Sequence, residues 1–328
     1  MKYALFATVL ALPAAAAAQQ VDQISIALDW TLNTNHIGLI VAEERGLYDA
    51  AGLDVEILPY SDTASSALLV SGATDFAYMT SLGFMTARAS GADITALWAT
   101  MQHETGRLVY QSDNSAISRP ADLEGKIYAG FGSAWEDALI STMIKADGGT
   151  PTYDTVTLGT GAYEALASGR VDFTLEVATW EGVNSDLLGR KQSYFTYADY
   201  GIPDQQNGYI GTRSNYLAEN ADTVTRFMVA TQAGYAWAAE NPEEAADILI
   251  AAGDFPNPDL VRGSMHAIAE GGYLTTDDAR PVGAIDAARF SEMARFLFES
   301  GVLTGPGGET LSELGDLSAW YDQGWMND

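Results

Sequence analysis

Several residue types are absent or scarce in this chain of 328 residues. There is no cysteine, which excludes disulfides, a lipid-anchored cysteine and any cysteine-ligated metal or iron–sulfur site. Only 16 lysines and arginines stand against 44 acidic residues, giving a net charge of −28. Such a charge repels nucleic acid and anionic membranes, so we expect neither as a partner.

Histidine is also scarce, with three copies, of which His103 and His266 are isolated. His36, His103 and His266 lie far apart in the sequence without an acidic partner set on one helix face, so we expect no metal site. Neither a nucleophile elbow, nor a phosphate-binding loop, nor a pair of catalytic carboxylates stands out. The sequence therefore predicts no catalytic residue, no cofactor and no enzyme activity.

Long apolar runs are confined to the N-terminus. Lys2 precedes the apolar run Tyr3–Leu12, which Pro13 and the alanines of 14–18 follow. This arrangement is typical of a secretory signal cleaved after about Ala18, and the run is too short for a permanent membrane span. We expect a soluble, monomeric protein of a bacterial periplasm that is not embedded in the membrane.

A hexapeptide pattern, Ser-Gly-x-x-Asp-Phe, occurs at Ser71–Phe76 and again at Ser168–Phe173. Each copy predicts a helix that stops at glycine, then a turn at aspartate, then a buried strand that begins with phenylalanine. Two copies predict an α/β chain of two lobes with facing crevices. The alternative is that common helix-to-strand chemistry recurs by chance.

The lobes should be joined by two crossing strands that act as a hinge. Arg107–Gln111 is predicted to enter the second lobe, and Tyr209–Thr212 is predicted to return to the first. Each lobe should be a mostly parallel sheet flanked by helices. We expect a signal segment at 1–18, the first lobe at 19–108, the second lobe at 109–210, and the returning first lobe with C-terminal helices at 211–328.

Polar and aromatic residues follow the first predicted strand, Ile24–Leu28, and precede a helix predicted from His36 to Arg45. Thr34 or Asn35 is expected to cap that helix. Because ligands bind at the carboxyl ends of strands in open α/β sheets, four of these residues are candidates for ligand contact. They are Asp29, Trp30, Asn35 and His36, and Tyr78 at the end of a later strand joins them.

A second group follows predicted strands of the other lobe. Gly130-Phe131-Gly132-Ser133 leads into a helix that carries Trp135 and Glu136, and Trp180 and Glu181 follow the second copy of the repeat. Ser133, Trp135, Glu136, Trp180 and Glu181 are therefore candidate ligand residues. Ser133 and Glu136 also have the spacing of a capping box, which is a purely structural alternative.

The candidates favour a small, flat, nitrogen-rich ligand. Indoles at positions 30, 135 and 180 can stack on an aromatic ring, and the carboxylates of Asp29, Glu136 and Glu181 can pair with an exocyclic amine and a ring nitrogen. The opposite possibility is an anion bound by Arg107, Lys126 or the positive helix end at Ser133.

Three motifs carry a resemblance to a known family: Leu28–His36 (LDWTLNTNH), Gly130–Ser133 and Trp180-Glu181-Gly182. The chain resembles the periplasmic substrate-binding proteins of the family shared with the fungal thiamine-pyrimidine synthase. The resemblance implies the type II periplasmic binding protein fold and an ABC permease with its ATPase as partners. It also implies a small heteroaromatic ligand such as formylaminopyrimidine or another thiamine pyrimidine precursor, as against riboflavin, a sulfonate or nitrate.

Two departures from the family pattern bear on the ligand, namely Leu32 in place of the usual proline and Phe131 where tryptophan is frequent. His36 matches the histidine that the fungal enzyme consumes in pyrimidine synthesis. That enzyme also needs a cysteine-rich iron site, which a chain without cysteine does not offer. A pyrimidine-synthesis enzyme and a sensor partner that delivers ligand to a receptor remain the other two function classes.

Overall fold

The computed structural model describes residues 21–276 and 280–327, so the predicted signal segment lies outside the described residues. Within them, ten strands form two five-stranded sheets of order β2-β1-β3-β10-β4 and β7-β6-β8-β5-β9. The strands are β1 (Asp22–Ala27), β2 (Leu53–Leu58), β3 (Phe76–Met79), β4 (Ile94–Met101), β5 (Gly106–Gln111), β6 (Ile127–Gly130), β7 (Asp154–Thr157), β8 (Phe173–Val177), β9 (Gln192–Thr196) and β10 (Asn207–Arg213).

The two sheets share one topology. In the first, β10 is antiparallel to both β3 and β4, while β1 is parallel to β2 and β3. In the second, β5 is antiparallel to both β8 and β9, while β6 is parallel to β7 and β8. Four strands of each sheet thus run in one direction, which confirms the predicted mostly parallel sheets.

The antiparallel member of each sheet is the strand that arrives from the other lobe. β5 follows the last strand of the first half and pairs wholly within the second sheet, and β10 returns to pair wholly within the first. The boundaries expected at residues 108 and 210 each fall inside one of these strands. The chain passes between the lobes in the segments 102–105 and 197–206.

Helices cover both faces of the sheets. In the first lobe, one apolar cluster surrounds Trp98 and Tyr235 and another surrounds Phe84 and Phe290; the second lobe has a larger cluster around Phe173 and a smaller one around Val109. No helix within 21–276 or 280–327 is long and apolar enough to cross a membrane. The helices are α1 (Ile37–Glu44), α2 (Leu47–Ala50), α3 (Ser65–Ser71), α4 (Ser81–Ala89), α5 (Ala134–Ala146), α6 (Ala162–Ala167), α7 (Val183–Leu187), α8 (Ser214–Glu219), α9 (Ala221–Glu240), α10 (Pro242–Ala252), α11 (Pro258–Glu270) and α12 (Ala287–Glu299).

The repeated hexapeptide forms the same structure in both lobes. Gly72 and Gly169 adopt left-handed backbone, with φ of +77° and +70°, at the ends of α3 and α6. The aspartates do more than turn the chain. The Asp75 carboxylate accepts a hydrogen bond from the Ser25 amide at 2.9 Å, and that of Asp172 accepts one from the Ile127 amide at 2.8 Å. Each repeat therefore fastens the central strand of its sheet, β3 or β8, to the neighbouring parallel strand, β1 or β6.

Candidate functional site

A cavity of about 360 Å³ lies between the two lobes, beside the segments that cross between them. α4 and β10 of the first lobe contribute one wall, and β6, β8 and the start of α5 contribute the other. Its volume is in the range of small-molecule sites. Five aromatic rings line it, and they are Tyr128, Phe131, Trp135, Tyr163 and Tyr197.

The charged residues of this cavity are all acids. Glu104, Glu136 and Glu176 line it, and none of the described lining residues is a lysine or an arginine. Burial raises the pKa of Glu104, although hydrogen bonds from Gln205 and from the Gly106 amide oppose the rise. An acid-lined, aromatic cavity favours cationic or amine-bearing ligands over anions.

Glu176 is the acid whose hydrogen bonding is incomplete. Its side chain is fully buried, and its Oε1 accepts a hydrogen bond from Arg107 Nε at 2.7 Å and lies 2.6 Å from Arg107 Nη2 in an ion pair. Its Oε2 has no hydrogen-bond partner in the described part of the chain. Burial raises the pKa of Glu176, and the Arg107 guanidinium opposes that rise. A buried carboxylate oxygen without a donor is costly, so it marks a place where a ligand can donate.

Glu136, by contrast, is saturated by its own lobe. Its Oε1 accepts from the Tyr128 hydroxyl at 2.7 Å and from the Phe131 amide at 2.9 Å, and its Oε2 accepts from the Ser133 amide at 2.7 Å. Burial raises the pKa of Glu136, but these hydrogen bonds outweigh it and hold the pKa below its usual value. The capping box, with Ser133 as N-cap of α5, is therefore present. The directed acceptance predicted for Glu136 goes to protein donors.

The same hydrogen bonds determine whether the glycine-rich loop before α5 can bind an anion. The loop could offer its amides to an anion, but those of Phe131 and Ser133 already donate to Glu136. Gly132 has φ of +74°, a left-handed conformation that places the loop around the carboxylate. The Glu136 carboxylate thus occupies the position that an external anion would take.

A polar chain joins the cavity floor to both crossing segments. Glu104 accepts from the Gly106 amide at 2.6 Å and from the side-chain amide of Gln205. Gln205 in turn accepts from the Ser81 hydroxyl at 2.5 Å, at the start of α4. This chain holds the two segments and the first lobe in one arrangement, so the floor of the cavity is preorganised.

The predicted candidates of the first lobe form a separate, internally bonded cluster. His36 is fully buried, its Nε2 lies 3.0 Å from Asp29 Oδ1, and its ring packs edge-on against Tyr78. The Tyr78 hydroxyl donates to the Asn35 carbonyl at 3.3 Å. None of these four residues lines the cavity described above.

The local structure around His36 also differs from the prediction. The residue that caps is Asn33, whose side chain accepts from the Asn35 amide, and not Thr34 or Asn35. It caps a short 3₁₀ turn over Thr34–His36, and α1 begins only at Ile37. The turn points the His36 Nδ1 back at the Asn33 amide, 3.4 Å away.

The three tryptophans lie at three different contacts between the lobes. Trp30 is 39% exposed and packs on Phe131 of the second lobe, with ring centroids 6.4 Å apart. Trp135 lines the cavity and packs on Phe296 of α12 at 6.1 Å. Trp180 packs against the core of the first lobe. The described structure therefore does not gather the three indoles around the cavity, because two of them cover lobe–lobe contacts beside it.

Glu181 lies just beyond the cavity, in the π-helical turn Ala178–Gly182. Burial raises its pKa to about 7, and its Oε2 accepts from the Val177 amide at 3.2 Å. Of the ten predicted candidates, Ser133, Trp135 and Glu136 line the cavity; Asp29, Trp30, Asn35, His36, Tyr78, Trp180 and Glu181 do not.

Sequence reasoning missed several lining residues, above all Glu176, Glu104, Tyr163 and Tyr197. For Glu176 a signal existed, since it is the one charged residue within strand β8. Among the described residues, no group of three or more histidines or acids could hold a metal ion.

The chain is similar in sequence to proteins of named function, among them a binding protein and a synthase. The chain is 28% identical over 251 residues to a formylaminopyrimidine-binding protein of Halalkalibacterium halodurans, covering 74% of each chain. It is 23% identical over 244 residues to a 4-amino-5-hydroxymethyl-2-methylpyrimidine phosphate synthase of Legionella pneumophila, covering 70% of this chain and 73% of the relative.

Solved structures share the fold. The periplasmic aliphatic sulphonate binding protein of Escherichia coli superposes with a TM-score of 0.66 at 15% identity, covering 86% of this chain and 88% of that one. The alkanesulfonate-binding protein of Xanthomonas axonopodis pv. citri, bound to MOPS, gives 0.65 at 17% identity, covering 93% and 100%. The predicted two-lobed periplasmic binding protein fold is thereby confirmed.

A family model described as NMT1/THI5 like matches residues 33–245. The match runs from the turn before α1 through both lobes to the start of α10, and so spans well over half of the chain. The resemblance inferred from the three sequence motifs is confirmed, and the chain belongs to the NMT1/THI5 like family.

Proposed function

We propose that this chain is the solute-binding component of an ABC importer and that its solute is a small, amine-bearing heteroaromatic compound of the pyrimidine class. The observation that supports this proposal most strongly is the cavity between the lobes, with its aromatic rings and its three carboxylates. A thiamine pyrimidine precursor fits this chemistry, and the formylaminopyrimidine-binding relative supports that choice.

The energetics of such a ligand are adequate. Micromolar affinity requires about 8 kcal/mol. Each aromatic contact contributes on the order of 0.5–1.5 kcal/mol beyond burial, and each charge-assisted hydrogen bond roughly 1.5–3 kcal/mol. Several rings and one or two such hydrogen bonds, together with the apolar surface that a pyrimidine buries, reach that range.

Sulfonate and nitrate fit the cavity poorly, although proteins with sulfonate ligands share the fold. The described lining residues include no lysine or arginine, and the loop amides before α5 already bind Glu136. Arg107 is adjacent, but its guanidinium is paired with Glu176. An anion would therefore enter beside three carboxyl groups without a cation to bind it.

Synthesis of a pyrimidine is the second candidate, because a relative is named as a synthase. The arrangement of His36 favours binding instead. Its ring is fully buried, and its two nitrogens face the Asn33 amide and the Asp29 carboxylate. Loss of imidazole atoms would change the mass of the protein, so an unchanged intact mass after incubation with cofactor and iron argues against synthesis.

The proposal also implies that the chain is exported to the periplasm and that it has a permease as its partner. The predicted signal at residues 1–18 would bring the chain to the periplasm, where an ABC permease with its ATPase would receive the ligand. Closure of the two lobes around the crossing segments would then be selected by the ligand. Deletion of residues 1–18 should retain the protein in the cytoplasm of an expressing bacterium, which cell fractionation measures.

A binding panel tests the function directly. Isothermal titration calorimetry on the mature protein should give heat with 4-amino-5-hydroxymethyl-2-methylpyrimidine and none with taurine or nitrate. Riboflavin is titrated as well, as a larger heteroaromatic compound whose affinity is compared with that of the aminopyrimidine. Binding confined to taurine or nitrate would refute the proposal.

A further inference from the structure

One carboxylate oxygen in the cavity has no donor from the protein, and its environment defines what must meet it. We infer that Glu176 is the specificity-determining acceptor of the site, that its Oε2 receives an N–H donor of the ligand, and that Arg107 is its positioning residue. The inference rests on the proposed function and deepens it, because it names the ligand group that the cavity selects.

The geometry fixes one oxygen of Glu176 and leaves the other for the ligand. Two nitrogens of Arg107, Nε and one terminal nitrogen, approach the same oxygen, Oε1, at 2.7 and 2.6 Å. A paired guanidinium and carboxylate often bond through both oxygens, but here Oε2 is buried without a partner in the described part of the chain. Glu176 itself lines the cavity.

Arg107 is held in turn, which makes the carboxylate rigid. Its guanidinium carbon lies 4.3 Å from the centre of the Tyr194 ring, in cation–π contact. Gly182 leaves room for the pair, because a Cβ there would lie 2.6 Å from a terminal nitrogen of Arg107. Neither end of the ion pair can swing away without losing these contacts, so Oε2 keeps one position.

The chemical class of the ligand follows from an acceptor in that position. A neutral amine on an aromatic ring, or a protonated ring nitrogen, satisfies Oε2 with a charge-assisted hydrogen bond. An analogue that lacks the donor leaves the oxygen buried and unpaired, and sites of this kind discriminate strongly against such analogues. Sulfonates, carboxylates and nitrate offer no donor and bring a like charge.

Calorimetry with two pyrimidines tests the inference without altering the fold. The first is 4-amino-5-hydroxymethyl-2-methylpyrimidine, and the second is the same compound without its amine. Wild-type protein should prefer the first by roughly 10- to 100-fold, the equivalent of one charge-assisted hydrogen bond. In Glu176→Gln, the side-chain amide can turn its own N–H groups toward the ligand, and the preference should fall below about threefold.

A matched control is available in the same lobe. Glu164 pairs with Arg190 as Glu176 pairs with Arg107, but the Glu164 side chain is 69% exposed. Glu164→Gln should therefore keep the wild-type preference. Arg107→Ala should weaken binding of the amine, and Arg107→Lys should restore part of it, since a purely space-filling role would not be rescued by charge. Thermal unfolding confirms that each variant is folded.

The outcomes separate the two proposals. If wild-type protein binds both pyrimidines equally, the role of Glu176 is refuted while the proposed function stands. If Glu176→Gln is folded and retains the full preference for the amine, the role of Glu176 is again refuted. If wild-type protein binds neither compound, both proposals fall.

Discussion

The two lobes present very different chemistry at the cleft, although they share one topology. The first lobe places Asp29 just after β1 and His36 in the 3₁₀ turn before α1, and the two side chains bind each other. The second lobe places Glu176 on its central strand with one oxygen unpaired. In the first lobe these polar side chains bind each other, whereas in the second lobe Glu176 Oε2 remains available to a solute.

The difference shows how a duplicated architecture divides its tasks. Strand order and the aspartate that fastens each repeat are common to both halves. The charge that faces the cavity differs between the two halves, because two of the three lining acids, Glu136 and Glu176, come from the second lobe. The second lobe should therefore determine ligand identity, while the first lobe supplies a rigid wall.

The largest effect is expected from His36→Ala in the first lobe. The substitution removes a fully buried ring that packs on Tyr78 and leaves the Asp29 carboxylate without its partner. The free energy of unfolding should fall by about 3 kcal/mol, as urea denaturation measures. Affinity of the remaining folded protein for the aminopyrimidine should be unchanged.

His266→Ala is the control for that experiment, since the His266 side chain is 50% exposed and should contribute no measurable stability. If His36→Ala abolishes binding while stability is retained, the first lobe contributes directly to recognition and the contrast between the lobes is lost.

A smaller effect concerns Glu181 of the second lobe, whose pKa burial raises to about 7 from 4.5. The folded protein binds the proton more tightly than the unfolded chain, so stability is highest at low pH and falls as pH rises from about 4.5 to about 7. Glu181→Gln should remove this dependence. The difference in free energy of unfolding between variant and wild type should grow by roughly 2 kcal/mol between pH 5 and pH 8.

Urea denaturation at several pH values measures that difference, with Glu164→Gln as an exposed control. A difference between Glu181→Gln and wild type that stays constant across this range would show that Glu181 is solvated and belongs to the surface of the second lobe.

The smallest effects are expected from the two repeated aspartates. Asp172→Ala removes one acceptor, for the Ile127 amide, and should cost about 1 kcal/mol of unfolding free energy. Asp75→Ala removes the acceptor for both the amide and the hydroxyl of Ser25 and should cost about 1.5 kcal/mol. Chemical denaturation compares them, and a neutral result for both would mean that the repeat is only a turn.

Much of the fold was predictable because it depends on local patterns. The glycines at 72 and 169 and the phenylalanines at 76 and 173 mark helix ends and strand starts, and the structure places all four as expected. The extent of each lobe was less accessible. The sequence predicted the bounds of β5 and β10 to within two residues, but the strands with which each of them pairs are a non-local property that it did not reveal.

The site was predictable only in part, because side-chain partners are also non-local. The spacing of Ser133 and Glu136 predicted a capping box, but only the structure shows that Tyr128 and Phe131 also donate to Glu136. Strand-end position alone suggested that Trp30 and Trp180 face a solute, whereas both pack between the lobes. Glu176 was overlooked because its partner, Arg107, lies 69 residues away in the chain.

A crystal structure of the protein with 4-amino-5-hydroxymethyl-2-methylpyrimidine tests the central claim most directly. The account predicts the ring among the aromatic side chains between the lobes, with its amine nitrogen about 3 Å from Glu176 Oε2. A ligand bound at Asp29 and His36, with Glu176 Oε2 still unpaired, would contradict it.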